Sequence, residues 1–273
     1  MITGKNRYVF VAPMYNASET LPRMLHSIYG QSYTNWKIIL IDDVSENSHQ
    51  LSQHRTISFF KQMTENPESL GLGKSDVDHK IRVFWNEEKK WETANVLHGI
   101  SMCEDDDIIC RIDADDFLTD LDALAIIDSA YQQSGCDILW SAHRWGFSDK
   151  NISGPMPDGV DPYVGYPWVS SHLKTFRKYL LNNVPYENFL NMNGELVRRC
   201  GDQAIYLPVL HRAKKRQYLP RVLYHYHIVE QDGAVYQTDD AKFQKQEADF
   251  VRSRGYVKEG MSWENHDVFV RKS

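Results

Sequence analysis

Four short apolar runs, separated by polar or helix-patterned stretches, constrain this chain more than any other feature. Residues 8–13 (YVFVAP), 37–41 (KIILI), 81–85 (IRVFW) and 108–112 (IICRI) are rich in β-branched and aromatic side chains. Their lengths and compositions predict buried strands. After the first run, Ser18-Glu19-Thr20 offers a helix cap ahead of Leu21, Leu25, Ile28 and Tyr29 at helical spacing. Residues 46–80 are polar with helical stretches broken at Pro67, and residues 92–103 predict another helix. Strands alternating with helices over residues 7–140 predict βαβ units and a largely parallel, buried sheet. Ligands of such sheets bind beyond the carboxyl ends of the strands. Pro13–Asn16, Asp42-Asp43 and Asp113–Asp116 then share one rim.

The second half is less regular. Residues 146–170 carry four glycines and four prolines, the composition of a long loop. Helical patterns are expected around residues 172–181 and 201–213, and a strand at 218–226 (YLPRVLYHY). The tail from residue 238 to 273 is amphipathic, with Phe243, Phe250 and Val251 available to pack as a closing helix. There is no internal repeat and no low-complexity segment.

A chain of 273 residues buries roughly 75% of its unfolded surface, so its core needs neither disulfide nor metal. Its four cysteines, Cys103, Cys110, Cys136 and Cys200, form no C-x-x-C pair, which predicts reduced thiols and a cytoplasmic setting. The N-terminal apolar stretch is too short for a signal-peptide core. No segment approaches the ~18 apolar residues of a membrane span. The net charge is −6, yet seven basic residues face one acid, Asp202, between Arg198 and Arg221. That asymmetry either focuses an anionic ligand or marks a solvated helix face.

The acidic strand ends carry the chemistry. In Asp113-Ala114-Asp115-Asp116, carboxylates one residue apart can converge on a hard divalent cation that keeps positions open for phosphates. Such an ion neutralises a departing diphosphate. The same residues would equally serve as the cap and first-turn acids of a following helix. Asp42-Asp43 can accept from ribose hydroxyls or a base N–H, or cap a turn with Ser45 and Asn47.

The stretch VAPMYNASETLPRMLHSIYGQSYTNWKIILIDDVSEN resembles the N-terminal signature of family 2 glycosyltransferases. ICRIDADDFL resembles that family's metal-binding strand end. SHLKTFRKYLL and GDQAIYLPVLHRAKKRQYLPRVLYHYH are similar to its acceptor-side segments. The resemblance spans roughly residues 7–227, and the combination of motifs is specific.

What the resemblance implies is an α/β fold of GT-A type, a Rossmann-like, mostly parallel sheet with flanking helices and a C-terminal acceptor-side region. The donor would be a nucleoside-diphosphate sugar, a UDP-sugar first among them. Pro13, Tyr15, Asn16 and Asp43 would line the base and ribose pocket with Asp42 beside them, and Asn95 of ETANVLHGI matches a donor-contacting position. Asp113 would face ribose or sugar, and Asp115 would hold Mn²⁺ or Mg²⁺ with Asp116 in support. Asp202 matches the acid that acts as general base in an inverting displacement. After LYHY the family pattern is altered, with His227 and Val229 at its basic and histidine positions. His225 or His227 then offers a metal or diphosphate ligand, or simply packs. On this reading residues 1–145 bind the nucleotide-sugar, 146–237 carry the acceptor region and base, and 238–273 form a helical tail.

The chemistry agrees with that assignment. A sugar hydroxyl is a poor nucleophile and needs a carboxylate to take its proton, and positive charge around Asp202 would keep it ionised. Asp202 could instead cap the helix beginning at Gln203. Two alternatives carry different chemistry: a nucleotidyltransferase of similar sheet, or a catalytically silent module binding nucleotide-sugar or nucleic acid. The former needs a Gly-rich basic loop after strand one, where this chain has APMYNASET. GLGKS at 71–75 resembles the end of a phosphate loop, but Glu68 stands where its first glycine belongs. The basic window admits an anionic acceptor, such as an acidic glycan, a phospholipid-linked sugar or a hydroxylated base in DNA.

Overall fold

In a computed structural model, which describes residues 2, 4–66, 80–146, 148–227 and 238–269, the four apolar runs are strands. They form β1 (Tyr8–Met14), β2 (Trp36–Asp42), β3 (Ile81–Trp85) and β4 (Ile108–Arg111). All four run parallel, with β1 between β2 and β4 and β3 outside β2. Burial on both faces explains why these runs are continuously apolar. Along β1, Tyr8, Phe10 and Ala12 enter one core layer while Val9 and Val11 enter the other, the two-residue alternation of a strand.

Helices cover both faces. On one side lie α1 (Leu21–Tyr29), α2 (Asn47–Glu65) and α4 (Ala123–Ser134); on the other lie α3 (Trp91–Ile100) and α5 (Gly201–Arg212). Thr20 stands at the start of α1, but its hydroxyl donates to Ala17 O and makes no cap bond. The GLGKS stretch and Pro67 lie outside the described residues.

The second half completes an eight-stranded sheet. β5 (Phe117–Leu118), β6 (Ile138–Trp145), β7 (Lys174–Arg177) and β8 (Arg216–Tyr226) extend it in the order β3-β2-β1-β4-β7-β6-β8-β5. The helix expected around residues 172–181 is instead β7 followed by a 3-10 turn, Lys178–Leu181. Strand β7 runs antiparallel between β4 and β6, so its backbone groups find partners on both sides. Thr175 and Phe176, both fully buried, suit that slot better than a helix. Pro220 sits in β8 where its register with β6 shifts, a place that tolerates a missing N–H.

The tail forms α6 (Asp239–Arg254), capped by Thr238 accepting from the Ala241 N–H. Val251 packs inward as expected, Phe250 lies against the same cluster, and Phe243 is half-buried. The anchor that sequence did not reveal is Glu247. Fully buried, it accepts from Asn191 Nδ2 and from the backbone N–H groups of Arg198 and Arg199. No helix among the described residues is long and apolar enough to cross a membrane.

Candidate active site

The two acids ending β2 divide their work. Asp42, fully buried, accepts from the Ser45 N–H at 3.0 Å and from the Ser45 hydroxyl. Ser45 Oγ in turn accepts from the Asn16 N–H at 2.8 Å, and Asn16 Oδ1 accepts from the Glu46 N–H. Asp42 thus ties the turns after β1 and β2 together, and it lines neither of the cavities on this rim. Asp43 reaches the other way. Its carboxylate accepts from the Lys90 and Trp91 N–H groups at 2.7 and 3.0 Å and from Asn86 Nδ2. It caps α3, whose own N-cap residue supplies no side-chain bond.

Asn95 of α3 accepts from Asn86 through Oδ1, while its buried Nδ2 has no partner among the described residues. A buried donor left open beside a cavity is available to a ligand or an ordered water. Asn95 lines a cavity of 220 Å³ with Pro13, Tyr15, Asp43, Trp91 and Asp113, and Arg198 and Arg199 close it. A second cavity of 370 Å³ shares Pro13, Tyr15 and Asp113 and adds Asn16, Asp115 and His227. Six of the seven donor residues expected from sequence therefore meet along these two spaces, Asp42 being the exception.

Behind them lies a buried charge network. Arg111, at the end of β4, holds Asp113 in a fork at 2.9 and 2.8 Å and also bonds Glu92 of α3. Lys174 of β7, 1% exposed, lies 3.3 Å from Asp202 at the start of α5. Arg111 and Lys174 are register partners in the β4–β7 pair. Like charges directly opposite destabilise a sheet, and here Glu92, Asp113 and Asp202 answer them. Burial pushes the Glu92 carboxyl up to about 6 despite Arg111. Burial works the same way on Asp202, but Lys174 and Arg111 outweigh it and hold that carboxyl below its usual range. Gly201 lets the two helix starts meet: a Cβ there would lie 2.8 Å from Thr93 Oγ1 and 2.9 Å from Glu92 Cδ.

Of the four residues expected to hold a metal, the structure gathers two with a histidine that sequence reasoning passed over. Ligand atoms of Asp113, Asp116 and His172 lie within 4.8 Å of one another. Asp116 is buried, accepting from the Tyr224 hydroxyl at 2.6 Å and from the His227 N–H at 2.7 Å. His172 lies in a near-parallel stack between Tyr224 and Tyr226. Burial pushes its pKa well down, so the imidazole stays neutral with a lone pair to offer. The two carboxylates suit Mn²⁺ or Mg²⁺, and the imidazole favours Mn²⁺ over the harder Mg²⁺. Asp115 and the His227 side chain stand apart, facing the second cavity. Desolvation and neighbouring Asp113 push the Asp115 carboxyl up to about 6. His225 stacks on Phe117 at 4.4 Å, a packing role.

Asp202 opens into a third space, a cleft of 470 Å³ walled by Trp145, Trp168, His172, Gln203 and Tyr226, with α6 along one side. The basic window does not surround it, contrary to expectation. Arg198 and Arg199 face the 220 Å³ cavity. Arg212 and Arg216 donate to backbone carbonyls, Arg221 pairs with Asp120, and Lys214 and Lys215 are exposed. The cations beside Asp202 are Lys174, at the start of β7, and Arg111, at the end of the apolar β4. Arg111, a charge closing an apolar run, was legible in sequence; Lys174, in KTFR, was not.

A family model for glycosyl transferase family 2 matches residues 9–185. Among solved structures, S. aureus TarS 1-349 in complex with UDP-GlcNAc is similar, with a TM-score of 0.59 at 14% identity. The match covers 83% of this chain and 60% of that one. The mannosyltransferase PcManGT from Pyrobaculum calidifontis, in complex with GDP-Man and Mn²⁺, gives a TM-score of 0.54 at 12% identity. That match covers 89% of this chain and 63% of the other. At such identities the likeness is one of fold, a GT-A fold. The chain spans about 60% of the length of these two structures. No curated protein matches it.

Proposed function

We propose, because the chain belongs to glycosyl transferase family 2, that it moves a sugar from a nucleoside-diphosphate sugar to an acceptor hydroxyl with inversion. The observation that carries this reading is Asp202. It opens into the 470 Å³ cleft while sharing a buried charge network with Asp113, which lines the cavities at the strand ends. A base and a donor site on opposite sides of one charge network suit a direct displacement.

In that displacement the acceptor oxygen bonds to the anomeric carbon as the bond from that carbon to the diphosphate oxygen breaks. Asp202 takes the acceptor's proton on a carboxylate oxygen. Lys174 keeps that carboxylate ionised, and the Gln203 N–H donates to its Oδ1 at 2.7 Å and fixes its orientation. A positioned base of this kind contributes typically about 10²–10⁴-fold. Tyr15, Asp43 and Asn95 would bind base and ribose, and Arg198 and Arg199 would face the diphosphate. UDP and UDP-GlcNAc in the TarS complexes, and GDP-Man in PcManGT, support a donor of this class; a UDP-sugar is the first to test.

Asp113, Asp116 and His172, with Asp115 at the neighbouring cavity, would hold Mn²⁺ or Mg²⁺, which when bound stabilises charge on the leaving diphosphate. Residues 1–145 then serve as the donor half, 146–237 as the acceptor half, and 238–273 as the tail. Four free thiols fit a reducing cytoplasm. The test is a thermal-shift screen of UDP- and GDP-sugars with and without Mn²⁺, followed by transfer assays. No stabilisation by any nucleotide-sugar would refute the reading.

A further inference from the structure

We infer that the acceptor is an uncharged saccharide whose ring lies against the aromatic wall of the Asp202 cleft; this rests on the transferase reading above. The cleft volume of 470 Å³ falls within the usual small-molecule range of roughly 300–1,000 Å³. Trp145, Trp168 and Tyr226 are half-buried, each with surface left toward the cleft they line. Trp145 and Tyr226 sit 5.9 Å apart at 45°, and Tyr226 lies 4.7 Å from the His172 ring. The electron-rich faces of such rings attract weakly polarised C–H groups, which a pyranose presents on its flat faces.

Two buried polar atoms in this wall have no partner among the described residues: Trp145 Nε1, a donor, and Gln203 Oε1, an acceptor. Sugar hydroxyls supply both complements at once. Gln203 follows Asp202 directly, so a hydroxyl held by its amide stays close to the base.

Charge decides between a neutral and an anionic acceptor. Lys245 is the one cation lining the cleft among the described residues, and it is paired with Asp249 at 2.5 Å. Lys174 is committed to Asp202, Lys150 sits over the Trp145 ring at 3.6 Å, and Arg144 faces Asp149. A phosphate, sulfate or uronate would meet the ionised Asp202, and only by drawing Lys245 from its exposed partner Asp249 would it gain an offsetting cation among the described residues of the cleft. A nucleic acid could stack on the same rings, but its phosphates would go unanswered. Arg198 and Arg199, the charges that pointed to an anionic acceptor, face the donor cavity.

The experiment measures nucleoside diphosphate release from UDP-GlcNAc, UDP-Glc, UDP-Gal and GDP-Man with Mn²⁺, first without acceptor. Each is then repeated with neutral trisaccharides (cellotriose, maltotriose, chitotriose, mannotriose), with trigalacturonate, and with duplex DNA. We expect at least one neutral trisaccharide to stimulate release, and Trp145→Ala and Trp168→Ala to raise its KM roughly tenfold or more. Trp145→Phe should recover part of that loss by restoring a ring. Background release that only trigalacturonate or DNA stimulates, or that no neutral trisaccharide stimulates, overturns the inference and leaves the transferase reading standing. An unchanged KM in both alanine variants also overturns it. Absence of release from every donor, with no thermal shift, fails the transferase reading itself.

Discussion

Lys174 Nζ lies 3.3 Å from Asp202 Oδ2, the lysine almost wholly enclosed and the carboxylate 28% open to the cleft. The pair supplies the reaction with a base that stays ionised in a buried place. Asp202→Asn should lower transfer by about 10²–10⁴-fold while donor-induced thermal shift persists. Turnover near the wild-type rate would remove Asp202 from the base role.

Lys174→Met tests the electrostatics. Burial alone drives the Asp202 carboxyl upward, and the lysine is the largest influence opposing it. Activity that needs an ionised base is present above its pKa and lost as pH falls through it. Without Lys174 that pKa rises, so the acid limb of kcat/KM should move to higher pH. A limb that does not move would show that Lys174 only fills space.

Arg111→Leu should destabilise the protein by about 3–5 kcal/mol, because Glu92 and Asp113 would be left buried without their cation. A leucine keeps apolar bulk on the face of β4 that meets α3, so the loss reports charge more than volume. Urea unfolding measures it, and a change under 1 kcal/mol would mean that water reaches these carboxylates.

Gly201→Ala pushes a methyl against Thr93 and Glu92. Overpacking of this kind costs typically about 1–3 kcal/mol, and separation of the two helix starts should lower kcat along with stability. A variant with native stability and native kcat would show that the helices part freely.

The raised Asp115 carboxyl gives a pH dependence for metal. Below about 6 it takes up a proton and no longer lends negative charge beside the proposed ion site, so Mn²⁺ affinity should fall as pH drops from 7 to 5. Burial, with the charges of Asp113 and Asp115, pushes the Asp116 carboxyl up as well, so Asp115→Asn should weaken that dependence without abolishing it. Titration calorimetry at three pH values checks both, and a flat wild-type profile would exclude Asp115 from the ion's surroundings.

The sheet and the donor rim were legible because parallel strands announce themselves by unbroken apolar runs, and their carboxyl ends can be read off the sequence. Strand β7 was not. Its four residues, KTFR, carry no alternation long enough to outvote the helix-like KYLL that follows, and its place is decided by open edges on β4 and β6. Asp42 and Asp43 look alike in sequence; only the turn geometry separates a buried tie from a helix cap. The charges around Asp202 misled for the opposite reason. Charge density along the chain reports sequence neighbours, whereas the cations that act on Asp202 come from strands more than 25 residues away in sequence.

The facing pair Arg111 and Lys174 constrains how this protein can vary. Two cations answer three carboxylates, so loss of either cation leaves buried carboxylates unanswered. A lineage drifting from this arrangement cannot discard it residue by residue without passing through unstable intermediates. It would have to exchange several at once, or gain stability elsewhere first. The machinery of transfer and the middle of the sheet are therefore inherited as one unit, and a descendant that had lost activity would be expected to keep these five side chains.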